Sequence, residues 1–245
     1  MLQSSLLFNP VYYETLPSSN SEAIRLAFAE APEGTVVVCH EQTAGRGQRD
    51  NRWVSDPGKN LTVSLILRPV GIATGELFIL SKAFSLAVVR SLNCYGIDAS
   101  IKWPNDIYVG TKKIAGILFE HSFCGGDLMF SVTGLGLNVN QVSFPPLDIV
   151  PASIATETGK DCYDLDEILS SVLDHFLPLY VSDKETVHSG YMEKLYRRKG
   201  FFPYRTKNGE TLVAKIHNVA DSGELILKDA NGILHSFMFK EISYL

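Results

Sequence analysis

Apolar positions change period several times along the chain. Residues 35–42 (TVVVCHEQ) and 60–69 (NLTVSLILRP) are β-branched, apolar runs, which predict buried strands, the second stopped by Pro69. Between them and the N-terminus, Ala23, Ile24, Ala27 and Phe28 recur at helical spacing. Ser18, Ser19 and Asn20 precede that helix and are capping residue types, and Gly34 closes the stretch. A first strand begins near Val11. Residues 75–96 read as a long apolar helix. Residues 101–123 read as strand, turn, strand, and CGGD turns the chain into another strand over 128–140. Three strands with tight connections imply an antiparallel run. Three prolines make 142–153 a loop. A helix is expected over 164–181, capped by Asp164 or Asp166, and a short one over 191–200, ending at Gly200.

Past residue 200 the texture changes. Short alternating runs are separated by Asn208-Gly209, Asp221-Ser222-Gly223 and Asn231-Gly232, which predicts a small meander of SH3 size. The chain therefore divides into 1–199 and 200–245, with no internal repeat.

Composition narrows the function. The chain has 245 residues and a formal net charge of -5, which argues against a general nucleic-acid binder and leaves anion recognition to local clusters. No helix-turn-helix fits ahead of the first strand. Cys39, Cys94, Cys124 and Cys162 lie far apart, without C-x-x-C spacing, and read as reduced thiols in a cytoplasmic protein. The six histidines lack metal spacing and read as structural. No signal peptide is evident, and no run approaches the roughly 18 to 20 apolar residues of a membrane span.

Four stretches carry candidate chemistry. EQTAGRGQRDNRW (41–53) places Arg46, Arg49 and Arg52 among Gly45 and Gly47 and ends at Trp53. Glycine N–H groups and arginine forks suit phosphate, and the indole offers a stacking face; a solvated basic turn with a core tryptophan is the alternative. KWPNDIYVGTKKIAGI (102–117) brings Lys102 and Lys113 near each other across a hairpin beside Asn105 and Asp106. That is either a site for a carboxylate substrate and a metal-bound nucleotide, or plain Asn-Asp turn chemistry. GLGLN (134–138) has strand glycines, the mark of a bulge or a close ligand approach. Ser18, Ser19 and Asn20 either cap a helix or bind a ligand.

Taken together and in this order, the stretches resemble the biotin protein ligases. That family shows a Ser-Thr-Asn element, Q-x-A-G-R-G-[R/Q]-x-x-R-x-W, K-W-P-N-D followed by K-[L/I]-A-G-[I/L]-L-x-E, and G-[I/L]-G-[I/L]-N. This chain reads SSN, QTAGRGQRDNRW, KWPNDIYVGTKKIAGILFE and GLGLN. The likeness covers nearly all of 11–245. It implies an α+β fold like the class II aminoacyl-tRNA synthetase core, a mixed sheet with helices on one side, plus a C-terminal SH3-like β-barrel. It also implies a two-step reaction: biotin and MgATP give biotinoyl-5′-AMP, then a lysine of a biotin carboxyl carrier protein takes the biotin. No nucleic acid or membrane partner is implied, and whether a homodimer forms is left open.

Roles follow from the resemblance one position at a time. Ser18, Ser19, Asn20 and Gln42, with the backbone at Gly45 and Arg46, would hold the biotin head. Lys113 would bind the biotin carboxylate and then the acyl phosphate, with Gly116 keeping the pocket open. Arg46 and Arg49 would meet phosphate oxygens, and Trp53 would stack on adenine. Asn105 and Asp106 would orient the nucleotide, its Mg2+ or the incoming amine. Asn138, Gly134 and Gly136 would accommodate the adenylate, and the 41–53 loop would be its lid.

The chain departs from the family at three places. Gln48 stands where many members have an arginine that helps retain the adenylate, Asp50 replaces a glycine, and Ser19 replaces threonine. Glutamine cannot pair with phosphate as arginine does, so Arg49, with Arg46 or Arg52, is expected to take over; Arg49→Ala should leak free adenylate. The rivals are a lipoate or octanoate ligase, whose R-R-x-S-G-G-G motif is absent here, a non-catalytic biotin- or nucleotide-binding protein, and a DNA-binding repressor.

Overall fold

The computed structural model describes residues 6–48, 51–146 and 149–245. A seven-stranded mixed sheet forms from β1 (Asn9–Leu16), β2 (Thr35–Gln42), β3 (Leu61–Leu67), β4 (Ala99–Lys102), β5 (Asp106–Val109), β6 (Lys112–Cys124) and β7 (Asp127–Leu137). Their order is β1-β2-β3-β7-β6-β5-β4. The β1–β2 pair is parallel and the remaining pairs are antiparallel.

Helices cover both faces, which corrects the expectation of helices on one side. The cause is the apolar end of β3, Leu65, Ile66 and Leu67, whose alternate residues face opposite ways. Val37, Ile66, Phe130 and Val132 pack with Ala23 and Ala27 of α1 (Ser19–Phe28). Val36, Leu65 and Leu67 belong to the larger core with α2 (Phe78–Cys94) and α4 (Leu165–Tyr180). Towards the β6–β7 end, the α1 face carries small and polar residues, Ser64, Gly134, Gly136, Gly116 and Glu120, with Leu118 among them. That open half becomes the floor of the site described below.

The helix over Thr74–Cys94 is 21 residues long and apolar enough to cross a membrane, contrary to the sequence expectation, but 78% of its most apolar window is buried inside the protein. It is the central core helix of the large sheet. Asp164 caps α4, accepting from the N–H groups of Asp166 and Glu167.

Two helices depart from the sequence reading. α3 (Ile154–Thr158) follows directly on the proline loop, started by a Ser153–Thr156 capping box and ended by left-handed Gly159. The helix expected over 191–200 is instead α5 (Lys184–Glu193), capped by Asp183 through the Thr186 N–H. Its early end has a tertiary cause. The Lys194 carbonyl accepts from Ile101 N–H and Tyr196 N–H donates to the Ile101 carbonyl, so 194–196 pairs with the edge of β4 instead of continuing as helix.

A second sheet, in order β11-β10-β9-β8-β12, contains β8 (Phe202–Thr206), β9 (Thr211–Val219), β10 (Leu225–Asp229), β11 (Leu234–Phe237) and β12 (Ile242–Tyr244). All its pairs are antiparallel. Its buried residues Tyr204, Ala214, Ile216, Leu225 and Leu227 join the core of the large sheet without a break.

Candidate active site

The open half of the α1 face holds a cavity of about 520 Å³, lined by both sheets and by the arginine–glycine loop. Its size suits a small organic ligand. The floor is a cross-strand glycine pair, Gly116 opposite Gly136, with Leu118 opposite Gly134 beside it. A Cβ on Gly136 would lie 2.3 Å from Cε2 of Trp53, and one on Gly134 would lie 2.1 Å from Oδ1 of Asn20. Neither glycine tolerates a side chain, because an indole rests on one and a buried amide on the other.

The hairpin supplies the charged pair. Lys113 Nζ is 2.6 Å from Asp106 Oδ1. The Lys113 backbone is held on both sides, its N–H by the Val150 carbonyl and its carbonyl by the Ala152 N–H. Lys102 is paired in register with Asp106 rather than Lys113, and its ammonium donates to the Tyr108 hydroxyl at 3.0 Å. Tyr108 is itself opposite Lys113, so the two lysines flank one tyrosine. Burial, then the Lys113 and Arg197 charges, pull the Lys102 pKa down against the opposing pull of Asp106.

A polar cluster closes the other end. Ser18 occupies the N-cap position of α1 but makes no side-chain cap bond. Gln42 Oε1 accepts from the Ser19 N–H at 2.8 Å. The Ser64 hydroxyl sits within reach of Ser19 Oγ, at 2.8 Å, and of Asn20 Oδ1. Asn20 Nδ2 donates to Glu120 Oε2 at 2.9 Å, and the other Glu120 oxygen accepts from Arg46. Glu120 was visible in the sequence only as the last residue of its motif. Its partners lie 74 and 100 residues away.

The lid candidate is a small hairpin: Arg46 bridges Arg52, and Trp53 N–H donates to the Gly45 carbonyl. Trp53 covers the glycine floor with Lys113 Nζ 6.0 Å from its ring centroid. Among the described residues its indole N–H is buried without an acceptor, and so are the hydroxyls of Thr206 and Tyr244, which line the same cavity.

Other candidates stand further off. Arg49 and Asp50 lie outside the described residues. Asn138 is buried, donates to the Ala152 carbonyl and is not part of the cavity wall; Gly45 supports Trp53 from behind. Asn105 lines the cavity while tying β5 to β6 through the Ile117 carbonyl. Residues from the second sheet, including Arg205, Lys207 and Lys240, complete the wall, and the sequence held no local signal for them.

Comparison with known proteins settles the lineage. A model of the biotin/lipoate A/B protein ligase family matches residues 13–138. A bifunctional ligase/repressor BirA of Bacillus spizizenii is 33% identical over 91% of this chain and 70% of its own.

The chain belongs to the biotin/lipoate A/B protein ligase family.

A second ligase relative, a biotin–[acetyl-CoA-carboxylase] ligase of Paracoccus denitrificans, is 29% identical, covering 88% of this chain and 92% of its own. The fold matches the Aquifex aeolicus biotin protein ligase solved with biotin and ATP, at a TM-score of 0.80 and 24% identity, over 97% of this chain and 98% of that one. Within the family frame, the Lys113–Asp106 pair, the glycine floor and the Arg46 hairpin are the parts of this chain that converge on one cavity.

Proposed function

We propose that the chain is an ATP-dependent biotin–protein ligase. Biotin carboxylate attacks the α-phosphorus of ATP, pyrophosphate leaves, and the resulting biotinoyl-5′-AMP passes its acyl group to the amine of an acceptor lysine, releasing AMP. The observation that carries the reading is a lysine–carboxylate pair, Lys113 and Asp106, beside a glycine floor roofed by an indole. The name of the Paracoccus relative supports biotin as the acid and a carboxylase as the acceptor, whose biotin carboxyl carrier protein would present the lysine.

Residues 1–199 form the catalytic domain and 200–245 the C-terminal SH3-like domain. Ser18, Ser19, Asn20 and Gln42 receive the ureido head at the polar end. The acyl chain crosses Gly116 and Gly136, which puts its carboxylate at Lys113. Two anions meet there, and preorganised cations offset their repulsion. Arg46 is held by Glu120 until substrate arrives, and Arg49 belongs to the same loop. Trp53, resting on Gly136, presents its other face to adenine, while Gly134 under Asn20 and Asn138 behind the wall shape the floor. Asp106 and Asn105 orient the nucleotide and the incoming amine. Arg205, Lys207 and Lys240 on the opposite wall suit the polyphosphate. Closing the loop excludes water from the anhydride.

Mg2+ enters with ATP. Among the described residues no cluster of three metal-ligating side chains exists, and Asp106 is the cavity's one carboxylate. Asp106 would be the side chain to hold such an ion, which would supply neutralisation of phosphate charge.

The test is pyrophosphate release with MgATP, comparing biotin with lipoate and octanoate, with and without a carrier domain. Biotin-dependent release followed by label on the carrier lysine is the expected result. Release with lipoate alone would replace the substrate, and no release with any acid would leave a binding protein.

A further inference from the structure

We infer that Lys82 and His188, both outside the ligand cavity, are positioning residues that fix the C-terminal sheet as the second wall of the ATP site.

Lys82 lies on α2 with 0% of its side chain exposed. A buried ammonium is tolerated when its three donors are met. Here Nζ is 3.0 Å from His188 Nδ1 on α5, 3.0 Å from the Val219 carbonyl and 3.5 Å from Asp221 Oδ1. Two of these partners belong to the end of β9 and the turn after it. Two residues on, the Gly223 carbonyl accepts from the Trp103 indole N–H at 2.8 Å. Trp103 directly precedes Pro104, Asn105 and Asp106. One buried lysine is thus linked through the 219–223 turn to the loop that carries Asp106. The sheet held by this turn brings Arg205, Thr206, Lys207, Lys240 and Tyr244 to the cavity, whereas Ser18, Ser19 and Gln42 come from the large sheet and α1. Loosening the turn therefore disturbs the nucleotide wall and spares the biotin end.

The arrangement also favours the neutral form of His188. A ring that accepts from Lys82 at Nδ1 is neutral, and burial lowers the Lys82 pKa as well, against the pull of Asp221. The charged or polar groups around it are Lys82 from α2, Asp221 from the turn, Asn218 from β9 and Glu185 on its own helix. Burial first, and then Lys82, push its pKa down. Protonation sets a second cation against Lys82 and opens the clamp.

The inference rests on the proposed ATP-dependent activity. The experiment compares KM for ATP and for biotin in wild type and Lys82→Met, alongside hydrogen exchange across 219–223. Methionine keeps the volume and removes the charge, and the charged partner left behind, Asp221, is exposed enough to be solvated. The expected result is a rise in KM for ATP of roughly 3- to 20-fold with faster exchange at the turn, while KM for biotin stays within about twofold. An unchanged KM for ATP in the folded variant, or an equal rise for both substrates, overturns the inference. If wild type releases no pyrophosphate, the functional reading falls, and unchanged exchange in the variant would then overturn the clamp by itself. If Lys82→Met does not fold, His188→Gln decides. Wild-type KM for ATP should rise more steeply than that of His188→Gln as the pH falls below about 6.5, the side on which a depressed histidine pKa lies; parallel profiles overturn it.

Discussion

Asp106 Oδ1 and Lys113 Nζ, in facing strands of one hairpin, are 2.6 Å apart at the edge of the glycine floor. The carboxylate holds the ammonium ready at the point where an acid substrate ends, and a substrate carboxylate must then share that ammonium with it. Removing the cation should hurt far more than removing its holder. Lys113→Met is expected to slow adenylate formation by about 10²- to 10³-fold, the scale of losing one preorganised charge contact. Asp106→Asn should cost less in that step and more in transfer to the carrier. Pyrophosphate release and carrier labelling, measured separately, check both; a Lys113→Met variant with near wild-type release would remove Lys113 from its role.

The two floor glycines predict different failures. Alanine at Gly136 would meet the Trp53 indole and push it off the floor, leaving the core intact. Ligand affinity should fall while the melting temperature barely moves. Alanine at Gly134 would meet Asn20 Oδ1, inside the buried cluster of Ser64, Asn20 and Glu120. Breaking such a cluster costs about 1–3 kcal/mol of stability. Thermal melts together with Trp53 fluorescence separate the two; equal destabilisation would mean that Trp53 is structural.

What the sequence revealed follows how far apart the partners are. Lys113 and Asp106 were legible as neighbours because only seven positions separate them, but the register was not: the expected single turn at Asn105-Asp106 is replaced by β5, so 101–123 holds three strands and Lys102 faces Asp106. Gly134 and Gly136 were legible as close approaches, but not what approaches them, since Asn20 and Trp53 come from other parts of the chain. Glu120 could not be assigned before its distant partners Asn20 and Arg46 were known. The helix expected at 191–200 failed for the same reason: the edge of β4, nearly a hundred residues earlier, takes the backbone of 194–196. The cations of the C-terminal sheet carry no motif, and only the docking of one sheet against the other gives them a place.

Glu120 should govern the lid. Its two oxygens hold Asn20 and Arg46, tying the loop hairpin to the sheet. Glu120→Gln keeps a partner for the amide and loses the ion pair. The Arg46 end of this network is part-exposed, so stability should change by less than about 1 kcal/mol. The loop should open more often instead, with faster trypsin cleavage at 46–52 and quicker escape of free adenylate. Cleavage and escape rates equal to wild type would show that the loop stays closed without Glu120.

Acid should weaken the fold through His121. The ring lies between Phe119 and Phe123 on β6, its Nδ1 2.8 Å from the Ser131 hydroxyl. Burial holds its pKa below the ordinary histidine value. An unfolded chain takes up a proton near about pH 6.5, while the folded one resists until lower pH. The neutral ring is therefore compatible with full stability above that value, and stability declines as pH falls from there through the depressed folded pKa. His121→Gln cannot titrate, so the difference between wild-type and variant unfolding free energies should be constant from about pH 7 to 8 and shift against wild type below about pH 6.5. Urea melts at several pH values measure that difference. A difference independent of pH would mean the ring is protonated as readily folded as unfolded, and burial would not be what sets its charge.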